Sequence, residues 1–188
     1  MITFLFIVLC FCFIIFFFSH IYHSMNLGVP TIHSTKNMRS SLVSVLNQEQ
    51  GSGFSGEIID LGSGTGGLVK KLSQAFPQAT VTGIELSFFP YCISKLRRLF
   101  FKNKQTHFLY QDIFHADLSD YDVVIAYLLT HINEKLSDRL KVQLKEGCLV
   151  ICLEYPLPEK DWHVEKQITV DKSLESLMLK EKLYVYRQ

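Results

Sequence analysis

The chain has 188 residues, 48% of them hydrophobic, and its 19 Lys and Arg against 18 Asp and Glu leave a formal net charge of +1. That length suits one domain of about 100–200 residues, and the near-neutral balance gives no global electrostatic case for nucleic-acid binding. Five cysteines without a C-x-x-C pair argue against a zinc or redox site.

Ile2 to Phe18 carries no charge and is dominated by Phe, Ile and Leu. As a helix it would rise roughly 26 Å, near the lower limit for crossing a hydrocarbon core. No Lys or Arg precedes it and no A-x-A pattern follows, so residues 1–20 read as an uncleaved single-pass membrane anchor rather than a secretory signal. A helix buried in the domain is the alternative, disfavoured because the run is apolar all round. Residues 21–33, including Leu27-Gly28-Val29-Pro30, form a linker into a domain over 34–188. Lys36 and Arg39 are the first positive charges after the run, which puts that domain in the cytoplasm, at the inner membrane in a bacterium. His20, His23 and His33 lack an acidic or cysteine partner, and no metal site is expected.

Ser34 is a possible cap for an amphipathic helix Thr35–Leu46, followed by a polar, glycine-containing loop from Gln48 to Gly56. Then comes the most informative stretch, Ile58-Ile59-Asp60-Leu61-Gly62-Ser63-Gly64-Thr65-Gly66-Gly67. It reads as a buried strand, a tight glycine turn and the start of a helix Gly67–Phe76. A carboxylate at Asp60 would repel a pyrophosphate but suits a cationic ligand. The next strand, Ala79–Ile84, ends at Glu85, spaced to accept hydrogen bonds from a ribose diol. A helix Phe88–Phe101 follows, with Lys95, Arg97, Arg98, Lys102 and Lys104 on it and its exit. That cluster reads first as a solvated face, with an anionic lipid surface as the alternative. Phe108–Ile113 is a third strand with Asp112 at its exit.

Tyr121–Tyr127 is a fourth strand, a helix Glu134–Leu144 closes near Gly147, and Cys148–Leu153 is the fifth strand. Segments around Glu165–Val170 and Lys182–Tyr186 form a hairpin-like sixth and seventh. Cys92, Cys148 and Cys152 fall at helix or strand positions as small core residues. The alternation argues for an α/β domain, a seven-strand, mostly parallel sheet with helices on both faces.

The series Asp60, Glu85 and Asp112 at successive strand ends resembles motifs I, post-I and II of the class I S-adenosylmethionine-dependent methyltransferases. The resemblance implies that S-adenosylmethionine is the cofactor. Asp60 and the loop Gly62, Ser63, Gly64, Thr65 and Gly66 would hold its methionine part. Glu85, beside Leu86, would hold the ribose, and Asp112, beside Ile113, the adenine amino group. A dinucleotide-binding unit is the nearest rival, since Gly62, Gly64 and Gly67 also satisfy G-x-G-x-x-G; Asp60 and the third acid count against it. Tyr127-Leu128-Leu129-Thr130-His131 is not the N-P-P-Y type signature of base-amino methylation.

Val29-Pro30, Tyr121–Tyr127 and the group Pro156, Pro158 and Trp162 resemble a smaller family, the membrane-anchored protein-lysine methyltransferases that modify the ring-forming c component of ATP synthase. That likeness implies a lysine of a membrane or membrane-associated protein as methyl acceptor. Tyr127, Glu154 and Tyr155 are then the candidates to wall the acceptor channel, orient the amine and receive its proton, although each could equally be a packing or solvated residue. His131 reads as a helix-start residue before a general base. Methylation of a lipid or quinone-like molecule, or cofactor binding without catalysis, stay open.

Overall fold

The computed structural model describes residues 4, 6, 11, 15, 34–171 and 180–188. The chain separates into two compact units, residues 1–32 and 33–188. In the first unit Phe4, Phe6, Phe11 and Ile15 are helical with exposed side chains. Most of the expected anchor, the linker with Val29-Pro30, and His20, His23 and His33 lie outside the described residues. Among the described residues no helix is long and apolar enough to cross a membrane.

The second unit runs α1 (Lys36–Gln50), β1 (Glu57–Leu61), α2 (Gly67–Ala75), β2 (Thr80–Glu85), α3 (Phe88–Arg98) and β3 (Thr106–Tyr110). A 3-10 turn (Ile113–His115) leads to β4 (Val123–Ala126), α4 (Thr130–Gln143), β5 (Leu149–Leu153), β6 (Lys166–Asp171) and β7 (Lys180–Arg187). The strands form one seven-stranded sheet in the order β3-β2-β1-β4-β5-β7-β6. Five strands are parallel, and β7 runs antiparallel to both β5 and β6. Near-continuous apolar runs such as Val123-Val124-Ile125-Ala126 are what strands covered on both faces require.

Alternation along the strands sorts the core into two layers. Ile58, Val81, Ile125, Ile151, Leu183 and Val185 pack against Met38, Leu42 and Leu46 of α1 and Leu68 and Leu72 of α2. On the other face Ile59, Leu61, Val124, Val150 and Tyr186 meet Leu136 and Leu140 of α4. Helix α3 stands apart, for Ser94 is its only buried residue.

Several expected boundaries move. The cap of α1 is Thr35, not Ser34: its Oγ1 accepts from Met38 N at 3.1 Å. Helix α3 stops at Arg98, three residues short of Phe101, and α4 starts at Thr130 rather than Glu134. The Gly147 position is left-handed (φ 81°), but it lies in a turn beyond the helix end at Leu144. Cys92 is exposed instead of a core residue, whereas Cys148 and Cys152 are buried. Arg97 and Arg98 are not a solvated face either. Arg97 donates to Thr65 O at 3.0 Å, and Arg98 donates to the carbonyls of Thr106 and Lys104.

The Pro156–Trp162 segment is tied to the α4 layer. Leu157 N donates to the Tyr186 hydroxyl at 2.9 Å, and buried Trp162 donates from Nε1 to Ser137 Oγ at 3.0 Å. Trp162→Phe should therefore cost about 1–3 kcal/mol of stability in urea unfolding, since Ser137 loses a buried partner. Cα geometry at the sheet's carboxyl end should be untouched, and ligand affinity there should hold within experimental error.

Candidate functional site

In an open parallel sheet the ligand crevice lies where strand order reverses, outside the carboxyl ends. Here that point falls between β1 and β4, whose register pairs Asp60 with Ile125 and Leu61 with Ala126. The chain leaving β1 is the glycine loop and the chain leaving β4 is Tyr127.

The loop is built by backbone bonds that only positive φ allows. Gly62, Gly64 and Gly66 have φ of 79°, 56° and 76°, which side-chain-bearing residues seldom adopt. Gly62 N and Ser63 N both donate to Ile84 O, at 2.9 and 2.8 Å, and Gly66 N donates to Ser63 O at 3.0 Å. Glu85 joins loop to strand: Oε2 accepts from Gly64 N at 2.8 Å and Oε1 from Ser87 N at 2.7 Å. Each oxygen keeps a second lone pair for an external donor such as a diol. A Cβ on Gly64 would meet nothing within 4 Å, so that face of the loop opens on space beside Glu85.

Asp60 is buried at 3% exposure. Burial first, and the neighbouring Glu85 charge second, push its carboxyl up to about 7. Two carboxylates drawn together in a desolvated place make a seat for a cation. The sulfonium and α-ammonium of S-adenosylmethionine supply one, and Glu85 and the open loop suit the attached ribose. Asp112 lies at the next strand exit, where its Oδ1 accepts from Phe114 N at 2.9 Å and caps the 3-10 turn; Ile113 is buried and Leu86 half-buried beside these acids.

Two loop residues turn their side chains toward the rest of the fold. Ser63 is buried with its Oγ unpartnered, and a Cβ on Gly83 would lie 2.7 Å from that oxygen. Its side chain is thus packing against β2, leaving only backbone for a ligand. Thr65 Oγ1 accepts from Arg97 Nη1 at 3.2 Å, so α3 clamps the loop.

The second half of the site lies beyond β4, β5 and β7. Strand alternation puts Asp60, Tyr127 and Glu181 on one face, that of Ile58, Ile125 and Leu183. Tyr127 is half-buried; desolvation, then Glu181, Glu154 and Tyr155, push its phenol up to about 12. It therefore stays neutral at ordinary pH and keeps its hydroxyl proton. Glu154 has a φ of 65°, unusual for a residue with a side chain. Tyr155 N donates back to Leu153 O at 2.8 Å, closing a three-residue turn, and Glu154 Oε2 accepts from Lys182 N at 3.2 Å.

Sequence reasoning missed two residues here. Glu181 is buried at 3% exposure, and its Oε2 accepts from the Thr35 hydroxyl at 2.8 Å. The signal was available, since Glu181 shares strand parity with Leu183 and Val185 and so is a carboxylate at a core-facing position. Asn133, fully buried in α4, donates from Nδ2 to Tyr155 O at 2.8 Å and fixes the turn after β5. His131, by contrast, is exposed in the first turn of α4. Among the described residues no group of His, Cys, Asp and Glu could hold a metal ion.

Comparison with known proteins agrees with this geometry. The ANTKMT methyltransferase domain matches residues 60–166. The chain is 30% identical over 144 residues to a Caenorhabditis elegans lysine N-methyltransferase named for the C component of ATP synthase, covering 74% of each. It is 27% identical over 117 residues to a protein-lysine N-methyltransferase of Saccharolobus islandicus, covering 61% of this chain and 70% of that one. An RNA methyltransferase from Salinibacter ruber, solved with S-adenosyl-L-homocysteine, shares the fold at a TM-score of 0.66 and 24% identity, over 83% of this chain and 93% of that one. The dinucleotide-binding alternative is thereby set aside: with an acid at each of three successive strand exits and a match that begins at the first of them, this chain belongs to the ANTKMT methyltransferase domain family and is an S-adenosylmethionine-dependent methyltransferase of class I.

Proposed function

We propose that this enzyme is membrane-anchored and N-methylates a lysine of a membrane or membrane-associated protein. The observation that carries the acceptor reading is the buried Glu181, with Glu154 and the neutral phenol of Tyr127 around it. Two carboxylates and an aromatic wall next to the cofactor end of the sheet suit a long cationic side chain. The nematode and archaeal relatives, both named as lysine methyltransferases, support the same class.

The cofactor, when bound, supplies an activated methyl on a sulfonium. The chain's own work is then positioning. Glu181 and Glu154 would draw in the lysine ammonium, and one of them would take its proton. Tyr127 would form the wall that holds the neutral nitrogen in line and keeps water away from it. The carboxylate that stays ionised would offset the positive charge of the methylated nitrogen. Thr35 holds Glu181 in place from the cap of α1, and Asn133 holds the Tyr155 turn.

Anchoring rests on the charge-free run Ile2–Phe18 and on the exposed, helical Phe4, Phe6, Phe11 and Ile15. With Lys36 and Arg39 following, we place the catalytic unit on the cytoplasmic side.

The test is transfer of radiolabelled methyl groups into membranes from cells lacking the enzyme. Label in a protease-sensitive band, recovered as methyl-lysine, is the expected result. Label in an organic extract would instead assign a lipid acceptor, and cofactor binding without label would remove the catalytic claim. Glu181→Gln keeps the shape and the Thr35 contact but not the charge. It should lower kcat/KM by about 10²-fold and leave the Kd for S-adenosylmethionine nearly unchanged. A matching loss of cofactor affinity would put Glu181 on the wrong half of the site.

A further inference from the structure

Helix α3 buries Ser94 and rests the half-buried Tyr91 on the core, yet its outer face and the turn that follows it are rich in apolar residues. Phe88, Ile93, Leu96, Leu99 and Phe100 are 50%, 40%, 62%, 75% and 80% exposed. Phe88, Cys92, Leu96 and Leu99 recur at helical spacing, so they form one stripe rather than scattered contacts. The strand beside it, β3, is the edge of the sheet, and its Leu109 and Tyr110 are 41% and 52% exposed. Scattered exposed leucines are ordinary, but a continuous stripe of this kind marks an interaction surface.

Charge identifies the partner. Between Leu86 and Gln111 there are Lys95, Arg97, Arg98, Lys102 and Lys104 and no Asp or Glu, in a chain otherwise balanced at 19 to 18. Arg97 and Arg98 are committed to backbone carbonyls. Lys95, Lys102 and Lys104 are exposed, and among the described residues they make no ion pair. Three ammonium groups without a counter-charge, interleaved with exposed Leu and Phe, match a surface that presents anionic phosphates over hydrocarbon. Lysines meet the phosphates while the apolar side chains enter the boundary beneath them. An acidic protein patch would satisfy the lysines but leave Leu99 and Phe100 without a counterpart.

We propose that the outer face of α3 and its exit, from Phe88 to Lys104, docks the catalytic unit on an anionic bilayer surface. The contact does not depend on whether residues 1–20 span the membrane, nor on which molecule accepts the methyl group. It does touch the cofactor site, because Arg97 of the same helix holds Thr65 of the glycine loop.

The experiment uses the full chain with Cys10→Ser and Cys12→Ser. Cys92 is then the one accessible thiol, since Cys148 and Cys152 are buried, and it takes an NBD fluorophore. The protein is reconstituted into vesicles of phosphatidylcholine alone, or mixed with phosphatidylglycerol, each carrying doxyl-labelled lipid. Quenching and a blue shift of NBD are expected to be severalfold stronger in the anionic vesicles. Both should fall back to the neutral-lipid level at high salt and in Lys95→Gln/Lys102→Gln/Lys104→Gln. Leu99→Ser/Phe100→Ser should lose the blue shift. Equal quenching in both vesicle types would overturn the proposal. So would a probe already shielded from iodide in detergent without lipid, which would mean that the stripe is covered by the chain itself or by a second copy. A second label at Leu96→Cys, with Cys92→Ser, must report the same result, which excludes a local effect of the dye. Binding of S-adenosylmethionine to each variant is measured alongside as the check on folding.

Discussion

Asp60→Asn is expected to make the cofactor-free protein more stable at pH 8 while lowering its affinity for S-adenosylmethionine by about 10²-fold or more. The two effects have one cause. The Asp60 carboxyl is raised from 3.8 to about 7 in the fold, chiefly by burial and secondarily by Glu85. Between those values the folded state holds more protons than the unfolded chain. Stability therefore falls as pH rises through that window, and the full cost is present above it. At about 1.4 kcal/mol per unit the cost reaches at most about 4 kcal/mol. Asparagine removes it, so urea midpoints of variant and parent should coincide near pH 4 and diverge towards pH 8. A bound cation reverses the preference by favouring the carboxylate. Parent affinity should weaken as pH drops below about 7, with proton release on binding in calorimetry at pH 6. A variant that binds the cofactor as well as the parent would remove Asp60 from the site.

Gly66→Ala and Gly64→Ala should separate folding from binding within one loop. At Gly66 a Cβ would lie 2.5 Å from Phe108 Cζ and 2.8 Å from Cε1, on a backbone with φ of 76°. Phe108 is 3% exposed and packs edge-on against Phe101, so the ring has little room to retreat. Backbone strain of about 1–2 kcal/mol adds to an overpacking cost of about 1–3 kcal/mol. For a chain of this size the melting temperature should fall by roughly 5–15 °C. Gly64 has the same sign of φ but nothing within 4 Å of its Cβ. Alanine there should cost only about 1 kcal/mol and act mainly on cofactor Kd, because the added methyl enters the space the loop faces. If both variants lost stability equally, the open face of the loop would not be where the structure has it.

The placement of the glycine loop and the strand-end acids was legible because these residues are consecutive or fixed by strand ends. Asp60, the glycines and Glu85 follow from a buried strand, a turn that excludes Cβ, and the next strand. The half proposed for the acceptor was only partly legible. Tyr127, Glu154 and Tyr155 were read as residues following strands, but Glu181 lies 54 positions beyond Tyr127 and comes within electrostatic reach of it through the β4–β5 and β5–β7 pairings. Thr35 likewise reaches Glu181 across 146 positions. Trp162 carried a family likeness and proved to be packing for α4.

Local chemistry in the chain therefore settled the strand–turn–helix unit, the three acids at strand exits and the α/β class, since hydrophobic period and glycine placement act over a few residues. Tertiary structure decided what no short window contains. It turned Arg97 and Arg98 from a solvated face into clamps on backbone carbonyls, left the apolar stripe of α3 uncovered at a sheet edge, and buried Glu181 beside Tyr127. Strand order and antiparallel pairing set which distant side chains share a face, and that depends on long-range register rather than on neighbouring residues.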